Sequence, residues 1–462
     1  MSEGQNDIQK VIQQYEKMEK EGRIEFFDLS TFEDIIEHYF INFSIKKALS
    51  VCNTAEDIYP FSTSVKVLKS RILAYLGNYK EAFDVIYEAE KIAPNDYQVL
   101  FYKGTLHSIL GDTDKAIESF EQALPYTEQP ADVFYNIGVT LQSINEFDQA
   151  LIAYKKALKE DITHEDSVYE LIDCGTQTKR LKSVHDFLQG FIDKDPYSAD
   201  AWYNMGIFYS QSQQYDQALA AFEYATLVNE KFDLAYMHMG HCFLNKKMYP
   251  EAFRQYLNAL QNTSEPTSEL YCHLGASAEM MEDYNVGIRY FKKAIELDES
   301  FDEGWFGVGE NHRKLGNFLE ATHYLNKAVK LNKFYDEYWY SLAKAECELG
   351  NLVSGLEAFE QASSINPNNE GIWIDWSEVY NKSGELNEAC EVLKKAINHL
   401  PENHSLHYRL AAYQLIGGKL QEAYKTIEVA LKLNYDAHQE MIDYVPNETI
   451  KKILKVAISK FK

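Results

Sequence analysis

Apolar residues recur along this chain at helical spacing, in pairs of short runs that return at a fixed interval. In the segment 199–232, Trp202, Met205, Gly206 and Tyr209 share one face of a first helix, and Ala218, Phe222 and Ala225 one face of a second, because residues three and four apart in sequence lie above one another. A short polar turn separates the two runs. The interval is 34 residues: Ala48, Ala82, Ala116 and Ala150 keep it, and after one gap Ala218 and Ala252 resume it. A second alanine stands seven residues further on, at Ala55, Ala89, Ala123, Ala157, Ala225 and Ala259. After one inserted residue near 261–268 it continues at Ala294, Ala328, Ala362, Ala396 and Ala430, and only Phe191 breaks the series.

Twelve such units and the insertion fill residues 29–437, with starts near 29, 63, 97, 131, 165, 199, 233, 268, 302, 336, 370 and 404. Small residues allow two helix axes to approach, so Gly104, Gly138, Gly206, Gly240, Gly275 and Gly309 are expected to face the alanines of the second helices. Pro60, Pro94, Pro196, Pro367 and Pro401 fall where units end and would stop a helix there. In the unit 165–198 the small positions hold Ile172, Val184 and Phe191, so its helices are expected to splay. Residues 1–28 read as a polar, amphipathic extension with Ile8, Val11, Ile12 and Tyr15 on one face. Residues 438–462 read as a cap and a basic helix with Ile450, Ile453, Leu454 and Ile458 turned inward, as terminal units of a stack need their apolar face covered.

Trp202, Gly206, Tyr209, Ala218, Phe222 and Ala225, and again Trp305, Gly309, Ala321 and Ala328, stand at offsets that resemble the tetratricopeptide repeat. The resemblance implies an all-α fold: an α-solenoid of about twelve antiparallel helix pairs wound into a right-handed superhelix, first helices lining a concave groove. It also implies a protein that binds other proteins or peptides in that groove, without catalysis.

Acids outnumber bases by 71 to 45, a net charge of −26. Such a surface repels a phosphate backbone, which excludes nucleic acid as a partner. The start is polar and no stretch reaches the roughly 18 apolar residues of a membrane span. The six cysteines include no CxxC pair, which fits a reducing compartment. The expectation is a soluble, cytoplasmic, acidic protein that does not engage membranes. GxxxxGK[ST], HExxH, GxSxG and EF-hand patterns are all missing from the chain, so no enzyme and no cofactor are expected.

In the tetratricopeptide family the groove is lined by positions 2, 5, 6, 9, 12 and 13 of each unit. Those positions hold sixteen acids and six bases here, a net of −10. A concave wall of one sign concentrates field and draws opposite charge. Asp132, Asp166, Asp173, Asp200, Glu303 and Glu310 belong to this wall, although acids at position 2 also suit a helix N-terminus. Position 5 supplies an aromatic ladder of Phe101, Tyr135, Tyr169, Tyr203, Phe306, Tyr340 and Tyr408, with Asn136 and Asn204 following two of its members; aromatic rings bury much area at low entropic cost. Repeats of this family that clamp acidic chaperone tails carry lysine at position 5, and none does here.

His238, His241, Cys272 and His273 would face the groove from two adjacent first helices. His238 and His241 lie one turn apart, and imidazole with thiol suits a soft metal; without a repeated ligand motif, a soft peptide-binding surface is the stronger reading of these residues. The function expected from the sequence is therefore an interaction scaffold that holds a basic or aromatic-basic segment of another protein. The alternative is a self-assembling solenoid joined through its caps or by its tail entering a neighbour's groove, and a metal-binding role is the remote third.

Overall fold

The computed structural model describes residues 3–21, 27–445 and 448–458, and all regular structure among them is helical. The chain forms two compact units, residues 1–230 and 231–462. In the first, the helix Glu3–Glu21 precedes six helix pairs: Leu29–Ile41 with Ile45–Ile58, Thr63–Tyr75 with Tyr79–Ile92, Tyr97–Ile109 with Thr113–Ala123, Pro130–Ser143 with Phe147–Glu160, Glu165–Gln177 with Leu181–Lys194, and Ala199–Gln211 with Tyr215–Val228. The second begins with Asp233–Asn245 and Tyr249–Asn262, then Ser268–Met280 and Tyr284–Leu297, then Asp302–Lys314 and Phe318–Leu331. It continues with Asp336–Leu349 and Leu352–Ile365, Glu370–Lys382 and Leu386–His399, and His404–Ile416 and Leu420–Leu433, and closes with Gln439–Tyr444 and Glu448–Ile458. The architecture is an all-α repeat solenoid.

Local sequence sets the ends of these helices. Ser62, Asp96, Ser198 and Asn403 each accept a hydrogen bond from an amide of the following first turn, which satisfies donors that the helix leaves open. The turn inside a pair places one residue in the left-handed region, commonly glycine, as at Gly77 (φ +79°) and Gly111 (φ +78°).

The alanines are core residues: Ala48, Ala82, Ala116, Ala150, Ala218 and Ala252 have no solvent exposure. The glycines, however, do not face them. A Cβ on Gly138 would stand 2.4 Å from the Tyr154 ring, and one on Gly206 2.4 Å from the Phe222 ring. The glycine makes room for the large side chain at the centre of the second helix, so close approach here is helix backbone to ring rather than glycine to alanine. Val184 likewise fills the space beside Gly175, and the pair Glu165–Gln177 and Leu181–Lys194 is the least closely packed among the described pairs. Branched side chains at small positions hold these helices apart.

Both ends of the array are covered. Ile12, Tyr15 and Met18 are buried against Phe32, Ile35 and Ile36, while Glu16 pairs with Lys47 at 2.7 Å and accepts from the Tyr39 hydroxyl at 3.1 Å. At the other end Met441, Ile442, Val445, Leu454 and Ile458 close over Tyr408, Ala411 and Leu415. The side chains of Ile450 and Ile453 lie outside the described residues. No helix among the described residues is long and apolar enough to cross a membrane.

Candidate partner-binding grooves

In the first unit, side chains from four successive first helices surround a cavity of about 590 Å³. Val67, Leu68, Tyr97, Phe101 and Tyr102 form its apolar wall; Glu33, Glu37, Arg71 and Asn136 form its polar one. Glu33 accepts from the Ser64 hydroxyl. Glu37 meets Arg71 at 2.9 Å, and the Arg71 guanidinium lies 4.8 Å over the Phe40 ring. Tyr97 and Phe101 pack with ring centroids 5.4 Å apart. The site thus offers a half-buried aromatic floor beside two carboxylates.

Further along, Tyr135 packs against the His164 ring at 5.1 Å and the Tyr154 ring at 5.9 Å. Burial, then the carboxylates of Asp166 and Glu170, push its phenol above the usual tyrosine range. Asp132 lies 3.2 Å from His164 Nε2, and the Asn136 amide donates to the Asp132 carbonyl at 2.9 Å. Asp166 and Asp173 are exposed and Asp200 half-buried. Gln142 donates to Glu170 at 2.8 Å and reaches Asp173 at 3.4 Å.

The ladder does not run on evenly. Tyr169 is half-buried, but Tyr203 is 4% exposed and its hydroxyl donates to Glu165 at 2.9 Å. Asn204 is buried and donates to the Ile162 carbonyl at 2.8 Å. Both residues pack the junction between adjacent pairs instead of lining a surface. Tyr408 is fully buried beneath the C-terminal cap, its hydroxyl donating to the Asn434 carbonyl at 2.6 Å.

In the second unit the histidines meet as their spacing suggests. His241 Nε2 lies 3.3 Å from His273 Nε2, the His238 ring stands edge-on to His241 at 5.6 Å, and Tyr256 stacks on His273 at 5.2 Å. Burial, followed by repulsion from His273 and His238, lowers the His241 pKa to about 3. Burial also raises Cys272 to about 12, with the Glu303 carboxylate adding to it from 3.7 Å away. Metal binding would need deprotonated thiolate, which this environment opposes. Among the described residues no group of three or more potential ligands is shaped to hold a metal.

Phe306 stacks on Tyr338 at 4.7 Å. Glu310 is 9% exposed and held by Arg313 at 2.8 Å, with its carboxyl lowered below the usual range by that pair despite burial. Tyr340 donates to Asp375 at 2.6 Å, and Lys344 sits 4.1 Å over the Tyr340 ring. Arg313, Lys344, Asp375, Glu378 and Lys382 line a second, smaller cavity of about 190 Å³. Sequence reading had not singled out Arg71, Tyr97, Tyr102, Arg313, Lys344 or Asp375. Five of them, all but Tyr97, stand at groove positions; a net count hides Arg71, Arg313, Lys344 and Asp375 because opposite charges cancel, and it does not register Tyr102 at all.

Family models described as tetratricopeptide repeat match residues 187–220, 307–370, and 97–128, 131–161 and 268–301. No curated protein matches the chain. Among solved structures, YrrB, described as a TPR protein with an unusual peptide-binding site, is 22% identical over 39% of this chain and 93% of its own, with a TM-score of 0.36. The Cut9–Hcn1 hetero-tetramer of APC/C is 14% identical over 82% and 95%, with a TM-score of 0.39. The C-terminal part of a TPR repeat-containing protein from Cytophaga hutchinsonii is 15% identical over 53% and 100%, with a TM-score of 0.45. The chain thus carries tetratricopeptide repeats in both of its units, with helix pairs of the same build between the matched segments.

Proposed function

We propose that the first unit holds a basic segment of another protein, with an aromatic or aliphatic side chain of that segment seated beside Tyr97, Phe101 and Tyr102. Tetratricopeptide repeats generally mediate contacts between proteins and are generally not enzymes; the finer reading rests on the 590 Å³ cavity and its charge. Groove positions of the first unit carry eight acids and one base, so 8 − 1 leaves −7. Those of the second carry eight acids and five bases, a net of −3. The one base of the first, Arg71, is already held by Glu37. A cationic segment entering there exchanges water for carboxylates on a partly desolvated wall, where charge attraction is less screened than on an open surface.

Covered ends support this reading over end-to-end stacking, because Ile12, Tyr15 and Met18 at one end and Met441 and Ile442 at the other have already buried the apolar faces that stacking would use. The test is fluorescence anisotropy with a labelled peptide alternating arginine with tyrosine and leucine. Binding should weaken with salt, and Glu33→Gln with Glu37→Gln should weaken it about tenfold, near 1.4 kcal/mol. Equal binding of an acidic peptide of the same length would sink the proposal.

A further inference from the structure

The turns inside the first four helix pairs differ from those of the two pairs that follow. Ile41 and Phe43, Tyr75 and Leu76, and Ile109 and Leu110 end the first three first helices, with Ile144 in the fourth, and all are exposed. The same positions in the next two pairs hold Gln177, Thr178 and Lys179, then Gln211, Ser212 and Gln213. Helix pairs therefore close well with polar residues here, and folding alone does not call for the apolar set.

Phe43 sharpens the point. It takes φ +55° at the turn position where the next two pairs place Gly77 and Gly111, and its side chain is 76% exposed. A bulky residue in the left-handed region costs about 1 kcal/mol or more, and a ring in water recovers little of that within the monomer. The first two turns form one surface: Phe43 and Leu76 wall one shallow cavity of about 450 Å³ together with Ile45, Lys46 and Lys47, and the Phe40 and Tyr75 rings meet at 5.5 Å. Summed over the four turns, the seven exposed side chains present on the order of 800 Å², comparable to one partner's share of a standard interface.

Charge varies along the strip. Lys46, Lys47 and Lys80 flank its first two turns against one acid, Glu81; Asp112, Asp114, Glu146 and Asp148 flank the next two against one base, Lys115. Lys47 and Asp148 also hold Glu16 and Arg180, which leaves Lys46 and Glu146 as the exposed ends of the gradient. We propose that this edge is an isologous interface through which two copies of the chain pair antiparallel about a two-fold axis. That arrangement sets the basic end of each strip against the acidic end of the other while the apolar side chains meet between them. An anionic membrane would be repelled by the acidic half.

The test is the mass of the full chain by sedimentation equilibrium, over a concentration series. The expected result is a rise from the 53.4 kDa monomer toward twice that mass. Phe43→Gly should weaken the dimer at least tenfold while leaving thermal stability unchanged or raised, since glycine relieves the turn. Lys46→Glu and Glu146→Lys should each weaken self-pairing, and an equal mixture of the two should restore it, because the mixed dimer regains both opposite-charge contacts. Tyr135→Ala should leave the dimer intact. A chain that stays monomeric up to about 100 μM, or a dimer that neither Phe43→Gly nor Lys46→Glu weakens, overturns the proposal; in the first case the strip serves a different protein.

Discussion

Adding one methyl group at Gly206 tests whether the glycines hold space for rings. Alanine is the better helix former by about 0.5–1 kcal/mol, so propensity alone favours Gly206→Ala. Its Cβ, however, would stand 2.4–2.8 Å from three atoms of the Phe222 ring, and Phe222 is fully buried. Overpacking of that kind costs about 1–3 kcal/mol, which outweighs the gain. Gly190 supplies the control: it lies in the helix Leu181–Lys194, and a Cβ there meets nothing within 4 Å. Gly190→Ala should therefore stabilise by up to about 1 kcal/mol while Gly206→Ala destabilises by about 1–2 kcal/mol. Long repeat arrays need not unfold in one step, so local stability is the quantity to follow. Amide hydrogen exchange by mass spectrometry should show faster exchange across Ala199–Gln211 and Tyr215–Val228 in the first variant. Equal protection in both variants would refute the assignment of the glycine to ring packing.

The pair His241–His273 should make the second unit sensitive to acid. Folding lowers the His241 pKa to about 3 and moves His273 in the same direction, whereas the unfolded chain binds these protons near pH 6.5. Stability is thus complete above about pH 6.5 and falls as pH drops from there toward 3, by up to about 1.4 kcal/mol per pH unit for one such group. Hydrogen exchange of Asp233–Asn245 between pH 7 and 5, corrected for intrinsic rates, should show this loss, and His241→Gln should lessen it; an unchanged slope would contradict it. Tyr203→Phe removes a hydrogen bond to the Glu165 carboxylate and should lower local stability by about 1.5–3 kcal/mol without weakening peptide capture, while Tyr135→Ala should weaken capture. Equal effects of the two variants on binding would restore Tyr203 to the binding surface.

Fold class was legible because it depends on side-chain size repeated at fixed offsets. Ala82, Ala116 and Ala150 recur at 34 residues and are all fully buried. The partner of each glycine was less legible. Alanine and ring alternate within the same second helix, as Ala150 and Tyr154 do, and periodicity cannot tell which of them points at Gly138. That depends on how far one helix slides along the other, and the sequence carries this only through the joint fit of many side chains. Tyr203 and Asn204 raise a related difficulty. They share position and residue type with Tyr135 and Asn136, yet Tyr203 finds Glu165 and Asn204 finds the Ile162 carbonyl on the preceding pair. Whether a groove position faces solvent is set by its neighbours in the adjoining unit, one period away.

Charge was legible as a total but not as a distribution. A net of −10 over the groove positions suggests one acidic wall, yet five of the six bases, Arg313, Lys314, Lys344, Lys382 and Arg409, fall in the last four units. There they interleave with Glu310, Asp375 and Glu378: Arg313 holds Glu310, and Arg409 reaches Glu378 at 3.2 Å. Charges paired in this way shorten the range of the field each would project. The eight acids of the first unit face one base, and that base is engaged with Glu37. Two stretches of the same repeat, with the same number of acids, thus present different electrostatic surfaces. A cationic segment gains most where carboxylates lack internal cations, so position-by-position pairing, rather than the sum, directs it to the cavity wall at Glu33, which meets the uncharged Ser64 hydroxyl while neighbouring Glu37 already holds Arg71.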